Sequence, residues 1–231
     1  MSGRFLFTSP RLRPPPGPAA SAPPLPHRHA RVTFTFVERA TGEEKDLTFV
    51  DARNFGTVRC SADAGELEEK LGSLGPDILG GMTKEDFLGV VGRLRNRTNV
   101  CKLLMNQKRL CGVGNYILAE GLYKAGVDPW CDAQDLGEET LVRLFEELQD
   151  TAAKSYRAQG VTRGSGGSYR QLDDTRGEFE FELECYGRGE TPGGERVYKI
   201  VDGPHKRAIH FVLRQVGEDN IDMVKARLNI T

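Results

Sequence analysis

The spacing of hydrophobic and polar positions changes period twice along the chain. Residues 32–37 and 46–50 alternate and are rich in β-branched and aromatic side chains, which predicts two strands joined by a turn at Thr41-Gly42-Glu43-Glu44. Asp51-Ala52-Arg53-Asn54-Phe55-Gly56 leads on to a further short strand over residues 57–59, with Gly56 permitting a bend. Three strands cannot bury their own face, so this sheet needs cover that the stretch does not supply.

From residue 67 the period becomes helical. Residues 67–74 read as a short charged helix or turn closing at Gly75-Pro76. Thr83-Lys84-Glu85-Asp86 has the form of a helix start, and Phe87, Val90, Val91 and Leu94 continue its apolar stripe. A second helix begins near Thr98 and Asn99 and runs through Leu104. A third starts at Asn115, which the pattern makes its cap, and stops at Gly126 before Pro129. A fourth spans residues 137–159 on the stripe Leu141, Leu144, Phe145, Leu148 and Ala152. Short connections between the four predict a compact bundle. Alternation returns at residues 179–184, 197–201 and 205–213, around Thr191-Pro192-Gly193-Gly194 and Asp202-Gly203-Pro204. This predicts a C-terminal hairpin with a basic tip, followed by a tail with one short helix near residues 223–228. Strands, then helices, then strands make an α+β chain.

Residues 1–31 hold eight of the twelve prolines together with five arginines and no acid, which precludes a helix or a central strand and reads as an extended basic loop or arm. No apolar run approaches the roughly 18 residues that span a bilayer. Five scattered cysteines without a CxxC pair argue against a disulfide framework and a zinc site, and fit a reducing compartment.

Charge is segregated although the net charge is −1. Residues 93–109 carry six cations and no acid, and residues 196–214 five cations against Asp202, whereas residues 132–150 hold seven acids against Arg143. Such stripes are either ordinary solvated faces or the footprint of a nucleic-acid binder of neutral pI. The centre of the first basic run decides which chemistry is available. In Gln107-Lys108-Arg109-Leu110-Cys111-Gly112-Val113-Gly114-Asn115-Tyr116 a glycine turn feeds directly into a helix, and such a junction presents backbone N–H groups to phosphate. Nucleic acid is the natural partner.

The order of elements resembles the formamidopyrimidine-DNA glycosylase and endonuclease VIII family. The motifs that carry the resemblance are Gln107…Gly112-Val113-Gly114-Asn115-Tyr116…Glu120, Gly166-Gly167-Ser168, Tyr186-Gly187-Arg188 and the terminal basic hairpin, in that order over about residues 32–216. The resemblance implies a partial N-terminal β-sandwich over residues 1–79 with a Pro/Arg-rich insertion at 8–31, a four-helix helix-two-turn-helix DNA-binding domain over 80–175, a finger hairpin over 176–216 and a tail over 217–231. It implies a base-excision repair DNA glycosylase and AP lyase that flips a damaged base out of the duplex and cleaves the N-glycosidic bond. The partner implied is double-stranded DNA with oxidised or abasic sites, bound by a monomer in the nucleus or another DNA-containing reducing compartment. No cofactor is implied.

Residue by residue, Met1, Arg53 and Phe55 match the side chains that fill the gap left by the flipped base, with a core position as the ordinary reading of Phe55. Asn115 matches a phosphate-gripping asparagine. Glu120 matches a glutamate directed toward the active site, against a merely solvated helix position. Lys206 and Arg207 stand at the hairpin tip, where Arg207 matches an arginine that contacts phosphate beside the lesion, against an ordinary exposed charge. The hairpin carries no cysteine after Tyr186-Gly187-Arg188 or around Phe211, so it resembles the zincless finger of some members, and no metal is implied. Asn54 stands where many members have a second arginine.

The family attacks the sugar with the amine of an N-terminal proline beside a glutamate. Here Ser2-Gly3 occupies that place, and Met1-Ser2-Gly3 looks like a motif that the family carries well inside its sandwich. The expectation is a polypeptide that begins at an internal position of the family pattern and lacks the nucleophile. The alternative is a catalytically inactive protein that binds damaged or abasic DNA. An RNA-binding protein built on the same helical unit would need neither residues 51–56 nor the terminal hairpin.

Overall fold

The computed structural model describes residues 3–7, 11–12, 28–52, 54, 56–158 and 182–230. The chain divides into two units, Met1–Ala62 with Ser168–Glu178, and Asp63–Gly167 with Phe179–Thr231.

The first unit is a sheet organised on one central strand. The alternating stretches form β3 (Ala30–Val37) and β4 (Glu43–Asp51), with Gly42 in the left-handed region at the turn. Two further strands come from the proline-rich stretch that the sequence reads as loop. These are β1 (Gly3–Phe7), which pairs along β4, and β2 (Arg11–Leu12), which pairs with Glu43 and Glu44. The prolines begin at Pro10, so residues 3–7 were free to pair, and the density of prolines over the whole stretch hid this. Residues 13–27 of the insertion lie outside the described residues.

Register assigns the faces. Phe5 and Val32 both oppose Phe49, and Phe7 and Phe34 both oppose Leu47, so these side chains share one face, where the Phe5 and Phe49 rings stand 5.2 Å apart. This face is open: Phe5, Phe7 and Phe36 are 40%, 47% and 53% exposed. The opposite face buries Asp46, Thr48 and Val50, with Thr35 donating to Asp46 at 2.7 Å and Thr33 bonded to Thr48 at 3.1 Å. The predicted strand at residues 57–59 does not form. Asp51 turns the chain back instead, its carboxylate accepting the Gly56 N–H at 2.6 Å. A Cβ on Gly56 would stand 2.4 Å from the Phe49 ring, so a larger residue here would have to displace that ring.

The second unit is helical with a terminal hairpin. After α1 (Ala64–Gly72), which buries none of its residues, come α2 (Lys84–Gly92), α3 (Val100–Leu104), α4 (Asn115–Ala125) and α5 (Glu138–Arg157). The Thr83 start is a reciprocal capping box with Asp86, and Gly126 ends α4 at a φ of 68°, both as the sequence predicts. α3 is held at its start by Asn99, which caps Cys101 and donates to the Pro129 and Cys131 carbonyls. The core joins Phe87, Leu103, Leu104, Leu118, Leu122, Leu144 and Leu148, all essentially fully buried; burial of each such side chain is worth about 1.5–3 kcal/mol. α4 and α5 approach closely because Gly121 faces Leu148, where a Cβ would stand 2.6 Å from a Leu148 methyl.

The hairpin is β5 (Tyr198–Ile200) against β6 (Ile209–Phe211), and Phe211 packs edge-on against Trp130 at 4.9 Å. The turn at residues 191–194 forms as predicted, with the Gly194 N–H donating to the Thr191 carbonyl. Of the predicted strand at residues 179–184, the first three positions lie outside the described residues, and Glu182 to Glu184 form no strand. The tail helix, α6 (Glu218–Leu228), begins five residues earlier than the sequence predicts. Asp128 anchors it by accepting from the Gly217 N–H and the Asn220 amide. No described helix is long and apolar enough to cross a membrane.

Candidate nucleic-acid interface

The glycine turn between α3 and α4 is braced from two directions. Gln107 spans it from within, its Nε2 donating to the Val113 carbonyl at 2.9 Å while its Oε1 accepts the Gly112 N–H at 3.1 Å. Gly112 lies at a φ of 92°, in the left-handed region. From outside, residues 75–78 run alongside the turn: the Gly75 N–H donates to the Gln107 carbonyl, the Cys111 N–H to Pro76, and the Ile78 N–H to Cys111, at 2.8, 2.8 and 3.0 Å. Gly75 permits this approach, since a Cβ there would stand 2.4 Å from the Arg109 carbonyl carbon.

The turn delivers Asn115 as the first residue of α4, and here the sequence expectation is corrected. Asn115 does not cap the helix; the cap position is Gly114, with no side-chain cap bond. Gly114 holds the extended backbone of the cap position, which puts Asn115 in the first turn and leaves its amide to the hairpin. Its Nδ2 donates to the Ala208 carbonyl at 2.9 Å, and its Oδ1 pairs with His205 Nε2 at 2.6 Å, both on the hairpin. The N-terminal end of α4, with its positive helix dipole, is thereby left without a capping side chain.

At the hairpin tip the Gly203 N–H donates to the Arg207 carbonyl and the Lys206 N–H to the Gly203 carbonyl, each at 2.9 Å. Lys206 takes a left-handed φ of 60°, costing of order 1 kcal/mol in a non-glycine residue. This tight loop leaves Lys206 and Arg207 exposed, and neither forms an ion pair with a described residue. Burial, and then the Arg207 guanidinium, hold His205 below the ordinary histidine range.

The basic run at residues 93–109 splits in two. Arg93, Arg95, Lys102, Lys108 and Arg109 are exposed and form no ion pair among the described residues. Arg97 is consumed internally, bonded to Asp132 and Asp135, and both contacts raise its pKa. Five cations of that run, not six, remain for a ligand.

Glu120 is neither solvated nor free. It is 1% exposed, and its carboxylate accepts the backbone N–H groups of Glu184, Cys185 and Tyr186 at 2.9, 2.9 and 2.7 Å. It anchors the entry to the hairpin at the Tyr186-Gly187-Arg188 motif. Met1, Arg53 and Phe55 lie outside the described residues; on either side of the latter two, Asp51 and Gly56 are bonded to each other.

Beside the start of α4 and the end of α5 lies a cleft of about 330 Å³ lined by Ile78, Leu79, Tyr116, Ile117, Ser155 and Tyr156. The Tyr116 hydroxyl is bonded to Ser155 Oγ at 2.7 Å. Elsewhere in this unit, burial pushes the Cys131 and Cys185 thiols up to about 12. No group of His, Cys, Asp or Glu among the described residues is placed to hold a metal.

Sequence reasoning missed His205, the Ala208 carbonyl and the brace at Gly75. His205 stood in plain view two residues before Arg207, but a histidine in a loop carries no spacing signal of its own.

The chain is similar to known proteins. Residues 74–165 fit the family model described as the formamidopyrimidine-DNA glycosylase H2TH domain, which begins just before the Gly75 brace and contains the whole turn. Curated formamidopyrimidine-DNA glycosylases from Cereibacter sphaeroides and Geobacter metallireducens are 33% and 32% identical, over 83% and 74% of this chain. The chain spans 64% and 58% of the length of those relatives. Among solved structures, the MutM (Fpg) protein of Thermus thermophilus is 30% identical with a TM-score of 0.66, over 94% of this chain and 73% of that one. Lactococcus lactis Fpg in complex with abasic-site DNA shares the fold at a TM-score of 0.66 and 18% identity, over 94% of this chain and 72% of that one. The α+β architecture, the family model and the similarity to these relatives agree, and the chain belongs to the formamidopyrimidine-DNA glycosylase family.

Proposed function

We propose that this chain binds double-stranded DNA at oxidised or abasic sites and serves base-excision repair as a DNA glycosylase with AP-lyase activity. The observation that carries the reading is the convergence of two elements on one grip. The open N-terminus of α4 and Asn115 come from the braced turn, Lys206 and Arg207 come from the hairpin tip, and the Asn115 amide bonds directly to the tip. Phosphate is the ligand that suits a helix N-terminus, an amide N–H and an unpaired guanidinium together. Arg93, Arg95, Lys102, Lys108 and Arg109 extend the positive surface along the duplex. Residues 80–175 thus act as the DNA-binding domain and residues 176–216 as its finger.

The cleft beside Tyr116 is roomy enough for one everted base, with aromatic and aliphatic side chains for a base face and Asp77 and Ser155 for its polar edge. In the flipped state Met1, Arg53 and Phe55 would fill the gap left in the duplex, as the family resemblance implies. Glu120 supports the site from behind by fixing the hairpin entry rather than by moving protons. As the family resemblance implies, the bond-breaking step belongs to a proline amine beside a glutamate, to which the grip presents the lesion. The chain would act as a monomer in the nucleus or another DNA-containing reducing compartment.

The test is equilibrium binding to two duplexes of identical sequence, one with a central tetrahydrofuran abasic analogue and one undamaged. Preference for the damaged duplex is expected. Equal affinity for both would overturn the reading.

A further inference from the structure

His205 enters the reading above only as an anchor point on the tip, yet its ring is fixed by a chain of hydrogen-bond logic. The Ala208 carbonyl can only accept, so the Asn115 group facing it at 2.9 Å is the NH₂. The other end of that amide, Oδ1, therefore faces His205 Nε2 at 2.6 Å, and an oxygen there requires Nε2 to carry the proton. In the neutral ring Nδ1 is then a bare acceptor, and it is buried without a partner. A second proton would have to enter that closed space, beside Arg207. The ring is thus held as a neutral donor.

We propose that His205 is a positioning residue for phosphate recognition, fixing the Asn115 amide so that its second Nδ2 hydrogen and the Arg207 side chain converge on one phosphate. The inference rests on the DNA-binding reading. Without the His205 bond, Asn115 would keep a single tether, to Ala208, and its amide would be free to swing away from the hairpin tip. The imidazole thus holds that side chain in one orientation. It also joins the hairpin tip to the turn, so the spacing between Arg207 and Asn115 is set before DNA arrives.

Three variants test this through binding to a duplex carrying a tetrahydrofuran abasic analogue, with thermal unfolding of each variant as the folding control. His205→Phe keeps the ring and removes the donor, and affinity should fall about tenfold, the worth of one hydrogen bond. His205→Gln restores an N–H donor and should recover affinity to within about twofold. In the double variant Asn115→Ala with His205→Phe, the loss should match that of Asn115→Ala alone, because His205 acts through Asn115. Additive losses, or equal losses in the Phe and Gln variants, would overturn the proposal. In the DNA-free protein, ¹⁵N spectra of the imidazole should show Nε2 protonated at pH 7.5; a proton on Nδ1 would overturn it independently of any binding. If the wild-type chain fails to prefer abasic DNA while Nε2 is protonated, the function reading has failed and the hydrogen-bond assignment has not.

Discussion

The Glu120 carboxylate accepts the Tyr186 N–H at 2.7 Å, across 66 residues of chain, and takes the Cys185 and Glu184 N–H groups with its remaining capacity. A buried helix residue thus holds the hairpin entry against α4. Glu120→Ala leaves three backbone donors without that acceptor, and a loss of about 3 kcal/mol is expected by chemical denaturation. Glu120→Gln should lose less, since its amide oxygen still accepts but its NH₂ opposes one donor. If Glu120→Ala matched the wild type in stability, the anchor role would be wrong.

Arg97 and Arg207 should separate cleanly in salt titrations. Arg207→Ala is expected to reduce the slope of log affinity against log salt by about one phosphate contact. Arg97→Ala should leave that slope unchanged, because Asp132 and Asp135 already occupy its guanidinium.

Gly75→Ala tests the brace. The added methyl would meet the Arg109 backbone at 2.4 Å, which cannot move without distorting the turn. Overpacking of this kind costs about 1–3 kcal/mol. Affinity for DNA should fall with stability, and hydrogen exchange at the Cys111 and Gly112 amides should accelerate.

Stability should decline as pH drops from neutral toward 5. His205 and His210 both titrate below the ordinary histidine range in the folded chain, through burial first and then through Arg207 and Lys199 respectively. The unfolded chain binds their protons more readily, so the stability present above about pH 6.5 is lost as pH falls through the folded values. Denaturation midpoints at pH 7.5 and 5.5 measure it, and His205→Gln should flatten part of the difference.

Much of the helical unit was legible because its signals are local. The Thr83–Asp86 box, Gly126 and the Leu141–Leu148 stripe each act within one or two turns, and each formed where the sequence placed it. What escaped depended on distant partners. Asn115 has the right residue type for a cap, but the acceptor and donor that take its amide lie about 90 residues away on the hairpin. Arg97 joined a basic run on paper and an acidic loop in space. β1 was masked by the prolines that follow it, and Glu120 gave no hint that its partners were backbone amides. Of the residues that the proposed grip uses, the sequence pointed to Asn115 and Arg207 but not to the histidine that bonds Asn115.

The most direct test of the account is the salt dependence of binding to abasic-analogue DNA, compared between the wild type and an Asn115→Ala, Arg207→Ala double variant. If the turn and the hairpin tip form one phosphate grip, wild-type affinity should fall steeply with salt, and the double variant should bind more weakly with a visibly shallower slope. A wild-type affinity indifferent to salt, or a double variant that follows the wild-type line, would contradict it.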